Sequence, residues 1–336
     1  MQHLFQSTFL QALGFAIAYS IWQTAIVWLL YLSITGLLHR TSAAIKYRIG
    51  VTAQIIGFCW FLLTFQFYYR QYSHAWQSSG TVSPGSDIQL LVSGNTDLAS
   101  RIIHWMIRGE QFLPYISMAY LLLIVFLSVR WIMGYQQTQQ IRFRGLQKMP
   151  VNYRLFVSRI AEQLGISRKI QVYLSDAVST PLTIGFLKPV ILVPLASINH
   201  LSTEQMEAVL LHELAHIKRY DYLVNILLSI AEISLFFNPF TQLLSRQIRK
   251  ERENSCDDWV LQYQYNAGSY AEALLRIACL QTTPALAMTA TGKKNELLVR
   301  VKRMIDKKEN QFNYRRQLLA FVLVTGILSS IAWLNP

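Results

Sequence analysis

The residues best placed to do chemistry are His212, Glu213 and His216, in the HExxH pattern His212-Glu213-Leu214-Ala215-His216. On a helix, side chains four positions apart share a face, so both imidazoles can hold one Zn²⁺. Glu213 stands beside them, where it can take a proton from the hydrolytic water. A surface helix with solvated His and Glu is the plain alternative for so short a pattern. A catalytic zinc needs three protein ligands and one open position. Downstream, Lys250-Glu251-Arg252-Glu253-Asn254-Ser255-Cys256-Asp257-Asp258 offers an acidic helix. Glu253 and Asp257 are four apart and share a face, as a ligand and an acid bonded to a ligating His would. Glu253 is assigned as the third ligand and Asp257 as its supporting acid. Asp257 and Cys256 stay open as alternative ligands, while Glu251 and Asp258 read as solvated charges. His104 and His200 do not fit the ligand geometry, and Tyr220 and Tyr222 read as packing residues. No second oxyanion stabiliser is assigned.

The elements that must position these groups are partly legible. Ser202-Thr203-Glu204-Gln205 is a capping box opening a helix at about 203–220, which carries the motif. Before it, residues 151–164 read as an amphipathic helix stopped by Gly165. Strands are expected at Ile170–Leu174, Thr183–Gly185 and Val190–Val193. A substrate could add a further strand to the edge near Thr183–Val193.

Of 336 residues, 52% are hydrophobic and only 15% charged, against about a quarter charged in soluble domains. Spans of about 20 apolar residues are expected at 13–38, 49–69, 113–134 and 316–334. Basic residues Arg40, Lys46, Arg48, Arg142, Arg144, Arg315 and Arg316 flank them. By the positive-inside bias these ends are cytoplasmic, which puts both termini outside. The net charge of +13 is explained this way, and with no nucleic-acid motif no direct nucleic-acid contact is expected. Three widely spaced cysteines, Cys59, Cys256 and Cys279, suggest no disulfide framework. No signal peptide is expected at the N-terminus.

The expected organisation is thus a transmembrane region over 1–134 with an extracytoplasmic loop at 70–112, whose stretch 102–112 rests on the membrane surface. A cytoplasmic domain follows over 135–315, then a C-terminal transmembrane helix over 316–336. Residues 222–244 are apolar enough for a fifth span, but one crossing would separate His212 from Glu253 across the membrane. Two crossings need about 40 residues. The segment must therefore lie at the interface, dip in and return with a break at Asn238-Pro239, or pack as a soluble core helix. Glu232 in its middle fits incomplete membrane burial.

HELAH followed by Ile217-Lys218-Arg219-Tyr220-Asp221, then Phe237-Asn238-Pro239, then Glu253-Asn254-Ser255-Cys256-Asp257, resembles the BlaR/MecR-type membrane metallopeptidases. Ser20-Ile21-Trp22-Gln23 and the Leu187-Lys188-Pro189 turn extend the likeness over most of the chain. The resemblance implies an α+β integral membrane protein, its helices set around a cytoplasmic gluzincin-like zinc metallopeptidase domain with a small sheet. It implies Zn²⁺ on His212, His216 and Glu253, Glu213 as base, and cleavage of a cytoplasmic protein, often a transcriptional repressor. It also suggests self-cleavage near Arg315-Arg316. Expected partners are that substrate and the lipid bilayer of a bacterial inner membrane, with a homodimer left open. The beta-lactam sensors of the family carry a penicillin-binding domain after their last span. Here the sequence has no Ser-x-x-Lys motif, and direct beta-lactam sensing is not expected. Alternatives are a membrane quality-control protease of the Ste24/HtpX kind and a non-catalytic sensor or scaffold.

Overall fold

The computed structural model describes residues 7–38, 41–79, 112–143, 145–280 and 287–306. His104, nearly all of 102–112, most of the loop 70–112 and the whole of 316–334 lie outside the described residues.

The described residues are mostly helical and include a small mixed sheet. Among the described residues, three helices are long and apolar enough to cross a membrane: α1 (Thr8–Leu37), α2 (Ala43–Ser79, with its candidate span at Ala43–His74) and α3 (Leu113–Ile141). Each of α2 and α3 outruns its apolar stretch, because polar runs such as Gln136–Gln140 contain no breaker and the helix simply continues. Aromatic contacts join α1 to α2, with Phe15 stacked on Tyr68 at 5.1 Å and Trp22 edge-on to Trp60 at 5.7 Å. Gln23 Nε2 donates to Thr64 Oγ1 at 2.8 Å, satisfying donor and acceptor away from water. The start of α3 closes on α1 at Gly14, where a Cβ would stand 2.8 Å from that of Leu113.

The remaining elements are β1 (Leu146–Lys148), α4 (Val151–Gln163), β2 (Gln171–Ser175), β3 (Leu182–Ile184), β4 (Val190–Pro194) and the short α5 (Ser197–His200). They continue as α6 (Thr203–Lys218), α7 (Asp221–Ser234), α8 (Pro239–Gln262), α9 (Ala267–Leu280) and α10 (Ala287–Ile305). The sheet order is β1-β2-β4-β3, parallel between β2 and β4 and antiparallel at its other two pairings. β4 is buried along its length, whereas β3 is an edge strand running beside α6. Gly165, at φ +64°, ends α4 as expected, with the Ile166 amide donating back to Ala161 O at 2.8 Å.

The capping box of α6 forms in full, Ser202 accepting from the Gln205 amide and Gln205 accepting from the Ser202 amide. Met206, Leu210, Leu211 and Leu214 on this helix are wholly buried, packed with Ile191 and Val193 of β4 and with Tyr270 and Ala273 of α9. Enclosed on several sides, α6 holds its polar residues in fixed positions.

The apolar segment after the motif is a helical hairpin of α7 and α8. α7 ends at Ser234, four residues before the expected break, and α8 begins at Pro239 with Asn238 as its cap. The four-residue tip follows from packing: Leu235, fully buried, joins Leu13, Ile17, Phe61 and Tyr120 of the three long helices. Tyr120 Oη donates to Ser234 O at 2.8 Å, and Asn238 Nδ2 to Ser20 O at 3.0 Å. Arg249 on α8 pairs with Glu232 on α7 at 2.7 Å. Gly50 lets α8 lie on α2, since a Cβ there would come within 2.8 Å of Ile248 Cγ1.

Candidate metal centre

Four helices meet at one point. α6 supplies His212, Glu213 and His216, the start of α7 supplies Asp221, α8 supplies Glu253 and Asp257, and α9 supplies Tyr270. The Nε2 atoms of His212 and His216 face each other at 3.2 Å, and Glu253 Oε2 stands 3.5 Å from His212 Nε2. Two Zn–N bonds of about 2.0–2.1 Å at a tetrahedral angle separate their nitrogens by about 3.3 Å. The donor spacing therefore suits one such ion.

The opposite ring nitrogens decide where the lone pairs point. His216 Nδ1 lies 2.7 Å from Asp221 Oδ2. Asp221 is an acceptor held ionised: burial opposes this, but the His216 hydrogen bond and the Arg219 charge keep its pKa below the usual carboxylate range. Nδ1 of His216 must then carry the proton, leaving the Nε2 lone pair free. Asp221 Oδ1 also accepts from Tyr47 Oη of α2 at 3.0 Å, which ties the centre to a long helix. Arg219 pairs with the same carboxylate and donates to Arg252 O at 3.2 Å.

His212 Nδ1 lies 2.8 Å from Tyr270 Oη and 3.2 Å from Asp257 Oδ1. Arg300 of α10 binds Asp257 through Nε at 2.9 Å and Nη2 at 2.7 Å, and its Nη1 stands 3.4 Å from Glu253 Oε2. Burial would raise the Asp257 carboxyl, but His212 and Arg300 hold it far below its usual range. Glu253 is likewise lowered well below, against burial, by the His212 hydrogen bond and by the charges of His216, His212 and Arg300. In the metal-free protein burial pulls the His212 imidazole down, but Asp257 and Glu253 outweigh it and bring its pKa to about 9. The site thus sets carboxylates against the two imidazoles.

Glu213 is buried, and its Oε2 accepts from Thr183 Oγ1 of edge strand β3 at 2.7 Å. The base candidate is thereby fixed against the strand where an extended peptide could pair.

The sequence-predicted residues fare unequally. His212, Glu213, His216, Glu253 and Asp257 are gathered in one cluster. Cys256 is near too: donor atoms of His212, His216 and Cys256 lie within 4.8 Å of one another. Its Sγ approaches His216 at Nδ1, at 3.4 Å, on the ring edge also held by Asp221. Burial also pushes its thiol well above the ordinary range. Two residues read as solvated charges are not. Glu251 is buried where α8 packs on α2, accepting from Gln247 at 2.9 Å and Asn254 at 3.3 Å, and Asp258 pairs with Arg303. His200 ends α5, away from the centre. Tyr222 accepts from Gln139 at 2.8 Å, and Tyr220 stacks over Arg168 at 4.2 Å. Asp221, Tyr270, Arg300 and Thr183 were missed as site residues. Asp221 alone had a local signal, directly after the motif helix.

The sequence matches the family described as BlaR1 peptidase M56 over residues 12–304. It is 38% identical over 100 residues to the regulatory protein BlaR1 of Bacillus licheniformis, covering 30% of this chain and 16% of that protein. It is 25% identical over 153 residues to the methicillin resistance mecR1 protein of Staphylococcus aureus, covering 45% of this chain and 26% of the relative. Against the regulatory protein BlaR1 of Staphylococcus aureus, identity is 22% over 224 residues, or 63% and 37% of the two chains. The matched part is well under half the length of each of these relatives. The family match takes in three long helices, the HExxH helix and the Glu253–Asp257 helix, and the chain belongs to the BlaR1 peptidase M56 family.

Proposed function

We propose that this chain is a membrane-bound zinc metalloendopeptidase of signal transduction, which cleaves a cytoplasmic protein, a transcriptional repressor. The observation that carries the reading is the convergence of two Nε2 atoms and the Glu253 carboxylate, each imidazole bonded through its other nitrogen. His212, His216 and Glu253 would hold Zn²⁺, with Asp257, Tyr270 and Asp221 behind the two imidazoles. Three protein donors leave a position open, which suits catalysis over a closed structural site.

When bound, zinc supplies Lewis acidity toward the scissile carbonyl and toward water. Glu213 takes the proton of the attacking water as its oxygen adds to the carbonyl carbon, and delivers it to the amine as the C–N bond breaks. Thr183 holds the Glu213 carboxylate in place for both transfers. An extended substrate segment pairs with the open edge of β3, where backbone hydrogen bonds give affinity with little demand on sequence.

The site belongs on the cytoplasmic side. Tyr47 joins Asp221 to the first turns of α2, the end where Lys46 and Arg48 lie, and Arg142 follows the end of α3. The α7–α8 hairpin then dips among the spans and returns, keeping Glu253 on the side of His212.

The test compares new protein N-termini, by mass spectrometry, in cells making the wild type or Glu213→Ala. A short set of wild-type-only cuts that includes a repressor supports the proposal. Cuts spread over misfolded membrane proteins would favour quality control, and identical termini would refute catalysis altogether.

A further inference from the structure

We infer that Tyr270 is a positioning residue of the metal centre, its phenol oxygen being the acceptor that fixes the tautomer of His212. This rests on the zinc reading above. Tyr270 is fully buried on α9, 58 residues from its imidazole partner. Its hydroxyl has one proton and two polar neighbours, Asp257 Oδ1 at 2.9 Å and His212 Nδ1 at 2.8 Å. Asp257 is the acceptor of the first contact, its carboxylate also taking two hydrogen bonds from Arg300. The phenol proton therefore goes to Asp257, and the phenol oxygen turns a lone pair toward His212. Nδ1 of His212 must carry a hydrogen to face that lone pair. Nε2 would then be the nitrogen that gives its lone pair to zinc, and it is the one that points at His216 and Glu253.

The direct Asp257–His212 approach of 3.2 Å is the longer of the two, so the phenol is the main partner and the carboxylate sets its polarity. The order is Arg300 to Asp257, Tyr270 to Asp257, and His212 to Tyr270. It passes through α10, α8 and α9 before reaching the motif helix. The zinc affinity of a motif on α6 thus depends on a hydroxyl carried by a helix that supplies no metal ligand.

The experiment measures zinc affinity of the full chain in lipid nanodiscs, by competition with a chromophoric chelator, and records the visible spectrum of the Co²⁺-substituted protein. Tyr270→Phe keeps the ring and removes the hydroxyl. It is expected to weaken zinc at least about tenfold, the range for losing an outer-shell partner, and to alter the Co²⁺ bands. Tyr265→Phe is the control, since its hydroxyl binds Glu207 on α6 outside the centre, and should match wild type. Should Tyr270→Phe misfold, difluorotyrosine at 270 keeps the shape and weakens the oxygen as an acceptor, and a smaller loss is expected. Wild-type affinity and spectrum in whichever of these two proteins folds overturn the role of Tyr270 while leaving the zinc site standing. A wild-type chain that binds no zinc overturns both.

Discussion

Replacing Asp221 with Asn should uncouple the two functions of its carboxylate. In the wild type Oδ2 accepts from His216 and Arg219, while Oδ1 accepts from Tyr47. Asn has one acceptor oxygen and one donor nitrogen. If the oxygen stays with Tyr47, the NH₂ group faces His216 Nδ1–H and Arg219, donor against donor. The imidazole then either loses its partner or shifts its proton to Nε2, the nitrogen the metal needs. If the amide turns the other way, NH₂ faces the Tyr47 hydroxyl, which can rotate only by giving up its acceptor. Loss of one outer-shell partner weakens metal binding about 10–100-fold, or about 1.4–2.7 kcal/mol. Arg219 is also left with a neutral partner in a site where its side chain is only 13% exposed, and breaking a buried pair costs about 3–5 kcal/mol. Tyr47→Phe removes the competing donor, so the double variant Tyr47→Phe/Asp221→Asn should recover roughly tenfold of the lost zinc affinity. The assay is chelator competition in nanodiscs on the wild type, both single variants and the double variant. Wild-type affinity in Asp221→Asn, or a strictly additive double variant, would refute the reasoning.

Thr183→Val removes the hydroxyl that holds Glu213 and should lower kcat about 10-fold or more with little change in zinc content, whereas Thr183→Ser should stay near wild type. Equal kcat in all three would remove Thr183 from the mechanism. Stability of the metal-free protein should fall with pH. His212 is raised from 6.5 to about 9 in the fold, so its contribution is complete below about pH 6.5 and disappears as pH rises through 9. The loss is read as a Tm that drops across the window in chelator. A Tm unchanged there would contradict the charged, paired imidazole.

What could be read from the sequence was local. His212, Glu213 and His216 declare themselves because an i, i+4 spacing fixes a helix face, and Glu253 and Asp257 do so for the same reason. Ser202 with Gln205, Gly165 and Asn238-Pro239 mark helix boundaries through hydrogen bonds made within a few residues. Tyr270 and Arg300 carry no such mark. They reach the centre only because α9 and α10 pack against α6 and α8, and nothing in the order of residues announces that docking. Glu251 misled for a related reason: an acidic helix suggests a solvated face until α8 is seen lying on α2. Helices α2 and α3 run beyond the apolar stretches 49–69 and 113–134, because hydropathy marks the stretch suited to lipid and not the helix that continues past it.

The central claim is that two imidazoles and the Glu253 carboxylate hold one zinc ion, with Cys256 standing behind His216. X-ray absorption at the zinc edge of the purified chain tests it directly. The account predicts a first shell of nitrogen and oxygen alone, at about 2.0–2.2 Å, and loss of bound zinc in Glu253→Ala. A sulfur scatterer near about 2.3 Å that vanishes in Cys256→Ser would contradict it and give the third ligand to Cys256.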